Sequence, residues 1–184
     1  MLATDLHLDG DHDWRAVPMP GADHDLEVVR LASPRGRFSI LGRFPAGFER
    51  AEPGGYLAAE EFLVLDGELE LEDLVLRRGD LTVVPGGYAR RGMRSPQGCL
   101  VLAWFGGLPD FLPADALPPC STPIVTVRVD AGDALPASPV ALWSRGSVPL
   151  GDGEVEVVSA ALDRWTRGGS PAPSSGDLVR RELL

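Results

Sequence analysis

The chain has 184 residues, 44% of them hydrophobic and 24% charged, a globular composition with enough length to bury a core without disulfides or structural metal. Its 17 basic residues, all arginine, stand against 27 acidic ones for a net charge of -10, which disfavours nucleic acid and anionic lipid as partners. The 22 glycines and 17 prolines favour turns and short strands over long helices.

Residues 1–25 form an acidic, turn-rich N-terminal extension that carries all three histidines, His7, His12 and His24. Its first residues, MLATDLHLDGDHDW, lack the basic start and apolar run of a secretory signal, and a cytoplasmic protein is expected. From Leu26 onward the segments LEVVRLA, RFSILGRF, EEFLVLDGELELEDLVL, GDLTVVPGG and GCLVLAWFGG read as short strands separated by glycine and proline. No helix of three turns is predicted between Leu26 and Gly107. Such a series implies a sandwich, a jelly roll or a barrel. The strongest hairpin signal lies within Phe62 to Leu71, with Asp66-Gly67 as its turn. Beyond that dipeptide, Glu68, Glu70 and Glu72 alternate with Leu69, Leu71 and then Leu74, which predicts one solvated acidic face and one core face.

After Gly107 the segment LPDFLPADALPPCSTP reads as a rigid connector that either wraps the first unit or separates two domains. PIVTVRV, SPVALWSRG and GEVEVVSAALDRW follow, the last read as a strand before a short helix, and the tail from Arg167 is expected to be mobile. Trp14 through Val29 and Trp143 through Val158 share their tryptophan, a proline, an aspartate and a Glu-Val-Val end. This match fits a truncated second copy, two similar strand lead-ins, or chance. The two cysteines, Cys99 and Cys120, are expected as free thiols.

Between Gly47 and Arg90 the sequence resembles the cupins, small antiparallel barrels of the jelly-roll type. Gly47, Glu60 and Gly67 keep the frame of the first cupin motif, and Gly79, Pro85 and Gly87 keep that of the second. The resemblance implies an all-β fold: a cupin jelly-roll barrel over residues 26–107, with irregular extensions at 1–25 and 108–184. The second extension is open to being a partial second cupin-like unit. The resemblance also implies a departure. Where the family places metal-binding histidines, this chain has Gly54, Tyr56 and Arg90, so that only Glu60 remains of the usual ligands. Arginine has no lone pair to offer a metal, and one carboxylate beside a phenol is a poor transition-metal set. No metal and no cofactor are therefore expected. The N-terminal histidines are read as solvated rather than as replacement ligands.

In a cupin frame Tyr56, Glu60 and Arg90 converge inside the barrel mouth, either as a buried ion pair or as a small-molecule site. In the second case Arg90 binds a carboxylate or enolate oxygen, Glu60 transfers the proton and Tyr56 orients the substrate or carries a proton. Tyr88, Phe44, Phe62, Trp104 and Arg43 are candidates for substrate binding, with only one of Trp104 and Phe105 able to point inward. Arg50, like Arg43, is a further candidate for an anionic ligand, with a surface charge as its favoured reading. The expected function is metal-independent proton-transfer chemistry, as a cyclase, isomerase or dehydratase of secondary metabolism acting on an enolisable, polyketide-like substrate of the kind met in antibiotic biosynthesis. The alternative is a ligand-binding or regulatory cupin resembling an anti-sigma-factor sensor, with any partner-facing patch in Leu108 to Pro123. A homodimer is expected, as cupins pair through sheet edges.

Overall fold

The computed structural model describes residues 2–6, 11–168 and 172–183, so that the reading made of His7 lies outside the described residues. Seventeen strands are described. The N-terminal segment holds β1 (Leu2–Asp5) and β2 (Arg15–Val17). The barrel strands are β3 (Leu26–Ala32), β4 (Phe38–Phe44), β5 (Phe48–Arg50), β6 (Gly54–Tyr56), β7 (Glu60–Leu71), β8 (Leu74–Arg77), β9 (Asp80–Val84), β10 (Met93–Ser95) and β11 (Cys99–Phe105). Then follow β12 (Phe111–Pro113), β13 (Val125–Arg128), β14 (Ala141–Arg145), β15 (Val155–Val158), β16 (Arg164–Arg167) and β17 (Leu178–Glu182). Among the described residues the only helical pieces are single 3-10 turns at Pro34–Gly36 and Ala114–Ala116.

The main sheet runs β13-β9-β7-β11-β4-β3-β2, every pair antiparallel. The distal half of β7 leaves that path and pairs with β8 and β10, and β10 continues to β5. Glycine explains how one strand serves both layers. The pairing of β11 with β7 slips between Leu100 and Val101, where Cys99 faces Gly67 and Val101 faces Val64. The slip changes the parity of β7, so that Phe62 and Val64 before it and Leu69 and Leu71 after it all enter one interior. Gly67 has φ 73°, and a Cβ there would stand 2.1 Å from the Gly98 carbonyl oxygen.

Asp66-Gly67 is therefore a bulge inside β7 rather than the predicted hairpin turn. The chain reverses at Glu72-Asp73 instead, with Leu71 opposite Leu74 and Glu72 at φ 55°. The acidic row is a surface of ion pairs, Glu68 with Arg77 at 2.8 Å and Glu70 with Arg94 at 2.8 Å. Leu74, expected on the core face, is exposed, and Leu76 is buried in its place.

A second sheet runs β1-β16-β15-β17-β14. Leu178 and Val179 of β17 are buried, which makes part of the tail expected to be mobile an interior strand. The helix expected after β15 is a turn, in which the Ser159 hydroxyl and the Asp163 carboxylate lie 2.6 Å apart. The match between the two tryptophan segments does not extend to pairing. β2 lies beside β3, whereas β17 separates β14 from β15.

The main sheet is covered on both sides, which is why all of β9 and β11 is buried. One face packs Phe44, Phe48, Phe62, Val101 and Phe105. The other packs Leu41, Leu63, Leu102 and Trp104 against Trp165, Val158 and Leu178 from the second sheet. Charge is buried with them. The Glu156 carboxylate accepts from Ser39 Oγ at 2.8 Å, Trp104 Nε1 at 2.5 Å, Trp165 Nε1 at 2.7 Å and Arg167 Nη1 at 3.1 Å. Arg180 Nε and Trp143 Nε1 donate to Glu61 at 2.6 and 2.7 Å. Buried acids of this kind are tolerated because each has its donors.

Candidate active site

A cavity of about 500 Å³ opens on the first of these faces. The inward parity of the strands supplies its apolar wall, with Val28 from β3, Ile40 and Phe44 from β4, and Val101 and Phe105 from β11. Tyr56 at the end of β6 and Glu60 at the start of β7 add the polar groups. The connector closes one side. β12 pairs with β6, placing Phe111 opposite Tyr56, and Pro109, Asp110 and Phe111 join the wall. The connector thus wraps the barrel, and β13 continues the wrap by pairing with β9.

Glu60 and Arg90 form a buried ion pair, in which Arg90 Nη2 donates to Glu60 Oε2. Their elements meet through the backbone as well, since Gly54 and Arg90 exchange hydrogen bonds of 3.1 and 2.9 Å. The Arg90 guanidinium lies 5.1 Å from the centre of the Tyr56 ring, and its Nε has no hydrogen-bond partner. Burial, reinforced by the Glu60 charge, pushes the Tyr56 phenol above its usual range, so that it stays a proton donor at neutral pH. The structure therefore brings together Tyr56, Glu60 and Arg90, with Phe44 in the wall above them.

The other candidates lie elsewhere. Trp104 faces the second sheet, donating to Glu156 and standing edge-on to Trp143 at 5.1 Å. Phe105 is the aromatic that points inward, because β11 pairs Phe105 with Glu60 and so fixes the parity. Phe62 is buried in the core on that face but does not line the cavity. Tyr88 points toward Glu72, to which its hydroxyl donates at 3.0 Å. It shares no face with Arg90, because residues 85–89 are a turn and not a strand. Arg43 is on the outer face, paired with Glu27 at 2.9 Å and stacked 4.0 Å from the Trp14 ring.

Arg50 is the residue that sequence reasoning misplaced. Read as a surface charge, it is 0% exposed. Its Nη1 approaches only the Met19 sulfur at 3.9 Å, and its guanidinium lies 4.7 Å from the centre of the Phe111 ring. Nε and Nη2 have no partner. Burial, and then repulsion from Arg90, pulls its pKa down to about 10, so that it remains charged at neutral pH. The only signal in the sequence was its place at the end of a short run, Phe48-Glu49-Arg50, in which Phe48 and Arg50 share the inward side.

The residues present do not fit the metal of a typical cupin. Gly54 supplies no donor, and a Cβ there would come within 2.3 Å of Phe111 Cζ and 2.6 Å of the Leu112 carbonyl oxygen. The space of that ligand is filled by the connector. Glu60 is engaged by Arg90, and no group of three or more His, Cys, Asp or Glu that could hold a metal ion occurs among the described residues. His24 pairs with Asp23 on an exposed loop.

No family model matches the chain, and no curated protein matches it in sequence. Solved structures do match in fold. A dioxygenase candidate from Nostoc punctiforme aligns over 98% of this chain and 78% of its own, with a TM-score of 0.64 and 16% identity. A candidate glyoxylate-induced protein from Pseudomonas aeruginosa aligns over 91% of this chain and 83% of its own, with a TM-score of 0.53 and 12% identity. A candidate acetylacetone dioxygenase from Methylibium petroleiphilum aligns over 63% and 83%, with a TM-score of 0.50 and 14% identity. The paired-sheet architecture, the two glycine-framed motifs and these alignments agree, and the chain has the cupin fold.

Proposed function

We propose that the chain is a metal-independent small-molecule enzyme acting by proton transfer on an enolisable, partly apolar substrate, in the manner of a cyclase, isomerase or dehydratase of secondary metabolism. The observation that carries this reading is the position of Glu60, a carboxylate on the wall of a largely apolar cavity and bonded to Arg90. In such a site Glu60 takes a proton from the carbon beside a substrate carbonyl, and the electron pair of the C–H bond moves to the carbonyl oxygen. The enolate is stabilised by the free Nε–H of Arg90 and by the hydroxyl of Tyr56. Glu60 then returns the proton to a different atom, or to a leaving hydroxyl.

Deuterium exchange in 2-tetralone, followed by NMR in deuterated buffer, tests this. The wild type is expected to accelerate exchange beside the ketone, and Glu60→Gln to return it to the buffer rate while keeping a cooperative melting curve. Exchange that survives Glu60→Gln refutes Glu60 as the base.

A ligand-binding protein without turnover is the second reading, favoured by the same closed pair, because a carboxylate already accepting from arginine has fewer lone pairs left to meet a substrate proton. Binding without exchange would select it. A homodimer belongs to either reading, supported by the exposure of Leu74 and Val75 on β8, which pairs only with β7 among the described strands. Light scattering on the eluted protein decides it.

A further inference from the structure

One buried cation beside the cavity has no acceptor. Arg30, Glu60 and Asp110 line the cavity. Arg90 and Arg50 do not, but Arg90 bonds to Glu60, and Arg50 meets the wall at Met19 and Phe111. Arg50 also borders a second, smaller cleft with Glu49, Glu70 and Glu72, none of whose carboxylates accepts from it. Arg90 is bonded to Glu60, and Arg30 lies 5.4 Å from the Phe38 ring centre at the wall. Arg50 is the cation left over. It is fully buried, yet no carboxylate, carbonyl or hydroxyl accepts from it.

Burying an arginine without an acceptor is costly, and a fold with no use for it replaces it by an apolar residue. The atoms left free identify the acceptor. Nε and Nη2 form the side edge of the guanidinium, two parallel donors spaced for the two oxygens of one carboxylate. Nη1, on the opposite edge, rests against the Met19 sulfur. Met19 and Phe111, the residues that touch the Arg50 guanidinium, both belong to the cavity wall.

We infer that the cavity takes an apolar monocarboxylate, with the ligand carboxylate accepting from Nε and Nη2 of Arg50 and its hydrocarbon body lying among Val28, Ile40, Phe44 and Phe105. This rests on the cavity being a small-molecule site, but it requires neither turnover nor Glu60 as a base. Arg50 is then a binding residue, and its charge selects acids over their neutral analogues.

The test compares 2-naphthoate with 2-naphthamide, which have the same bicyclic body with and without the charge, by thermal melting and by titration. The wild type is expected to be stabilised by naphthoate and to bind it roughly tenfold or more tightly than naphthamide, as a charge-assisted bidentate pair requires. Arg50→Met should melt at or above the wild-type temperature without ligand, because a buried unpaired cation is gone, and should bind the two probes equally. Arg50→Lys should keep an intermediate preference. Equal response of the wild type to the two probes, or no response to either, overturns the inference. So does a full acid preference in Arg50→Met, or in Arg50→Lys should the methionine variant not fold. Loss of exchange activity in Glu60→Gln with the acid preference intact would leave the inference standing, so the two proposals fail separately.

Discussion

Arg90 and Glu60 hold each other inside the barrel, a charge-assisted bond between side chains that are 2% and 10% exposed. A guanidinium and a carboxylate neutralise one another there, on the wall of the cavity that Tyr56 and Phe105 share.

Removing one member of the pair leaves the other buried. Arg90→Met should destabilise the protein by about 3–5 kcal/mol, since Glu60 loses its cation. The double variant with Glu60→Gln should recover a large part of that loss. Urea unfolding of the four proteins measures both quantities. A single-variant cost under about 1 kcal/mol would mean that the carboxylate finds solvent and the pair is not buried in solution.

Gly54 is held to glycine by the connector that crosses it. Gly54→Ala should cost about 1–3 kcal/mol through overpacking. Adding Phe111→Ala should recover only part of it, because the Leu112 carbonyl oxygen still lies 2.6 Å from the new Cβ. Gly54→His should not restore metal binding. Calorimetric titration with iron, zinc and manganese checks this last point, and a stoichiometric complex would contradict it.

Glu156 takes four donors between the sheets. Glu156→Ala strands two indole N–H groups, leaves Arg167 with only its longer contacts to Glu182 and Glu154, and should cost about 3–5 kcal/mol. Glu156→Gln should cost less, because its amide oxygen still accepts. Chemical denaturation followed by tryptophan fluorescence reports on the same indoles that lose their acceptor.

The two thiols should react very differently. Burial, with Asp66 and Glu68 adding to it, pushes Cys99 up to about 12, and raising the pKa of a thiol depletes the reactive thiolate at every pH below that value. Cys120 is only half-buried. Iodoacetamide at mildly alkaline pH should modify Cys120 in the folded protein and Cys99 only after denaturant is added, as read by peptide mass. Equal labelling would mean that β11 opens readily.

The parts of this molecule legible in its sequence are those governed by period and by glycine frame. Glu60 and Glu61, adjacent at the start of β7, face opposite sides, Glu60 the cavity and Glu61 the second sheet, as the period of a strand requires. The glycine frame placed Arg90 opposite Glu60. What stayed hidden needed the third dimension. Asp66-Gly67 is written like a hairpin turn, but the same backbone freedom serves a bulge when a neighbouring carbonyl, that of Gly98, presses on it. Trp104 and Phe105 were equivalent until the pairing with β7 fixed which one faces inward. Arg50 looked like any surface arginine because its burial comes from Phe111 and Met19, residues about 60 and 30 positions away in the chain. The acids of the second core, Glu156 and Glu182, have partners distributed from Arg37 to Arg180, and no local pattern announces them.

The position of β17 bears on how the chain can assemble. Residues 178–182 lie between β15 and β14, and Leu2 at the other end of the chain is registered with Arg167 across the same sheet. A chain emerging from the ribosome can close the β3–β11 layer early, but it has no neighbour to join β14 to β15 until residues 178–182 are free. Contacts of such long sequence separation are slow to form. Until they form, Trp104, Leu63 and Leu102 face water, which leaves the nascent first layer with an exposed apolar face.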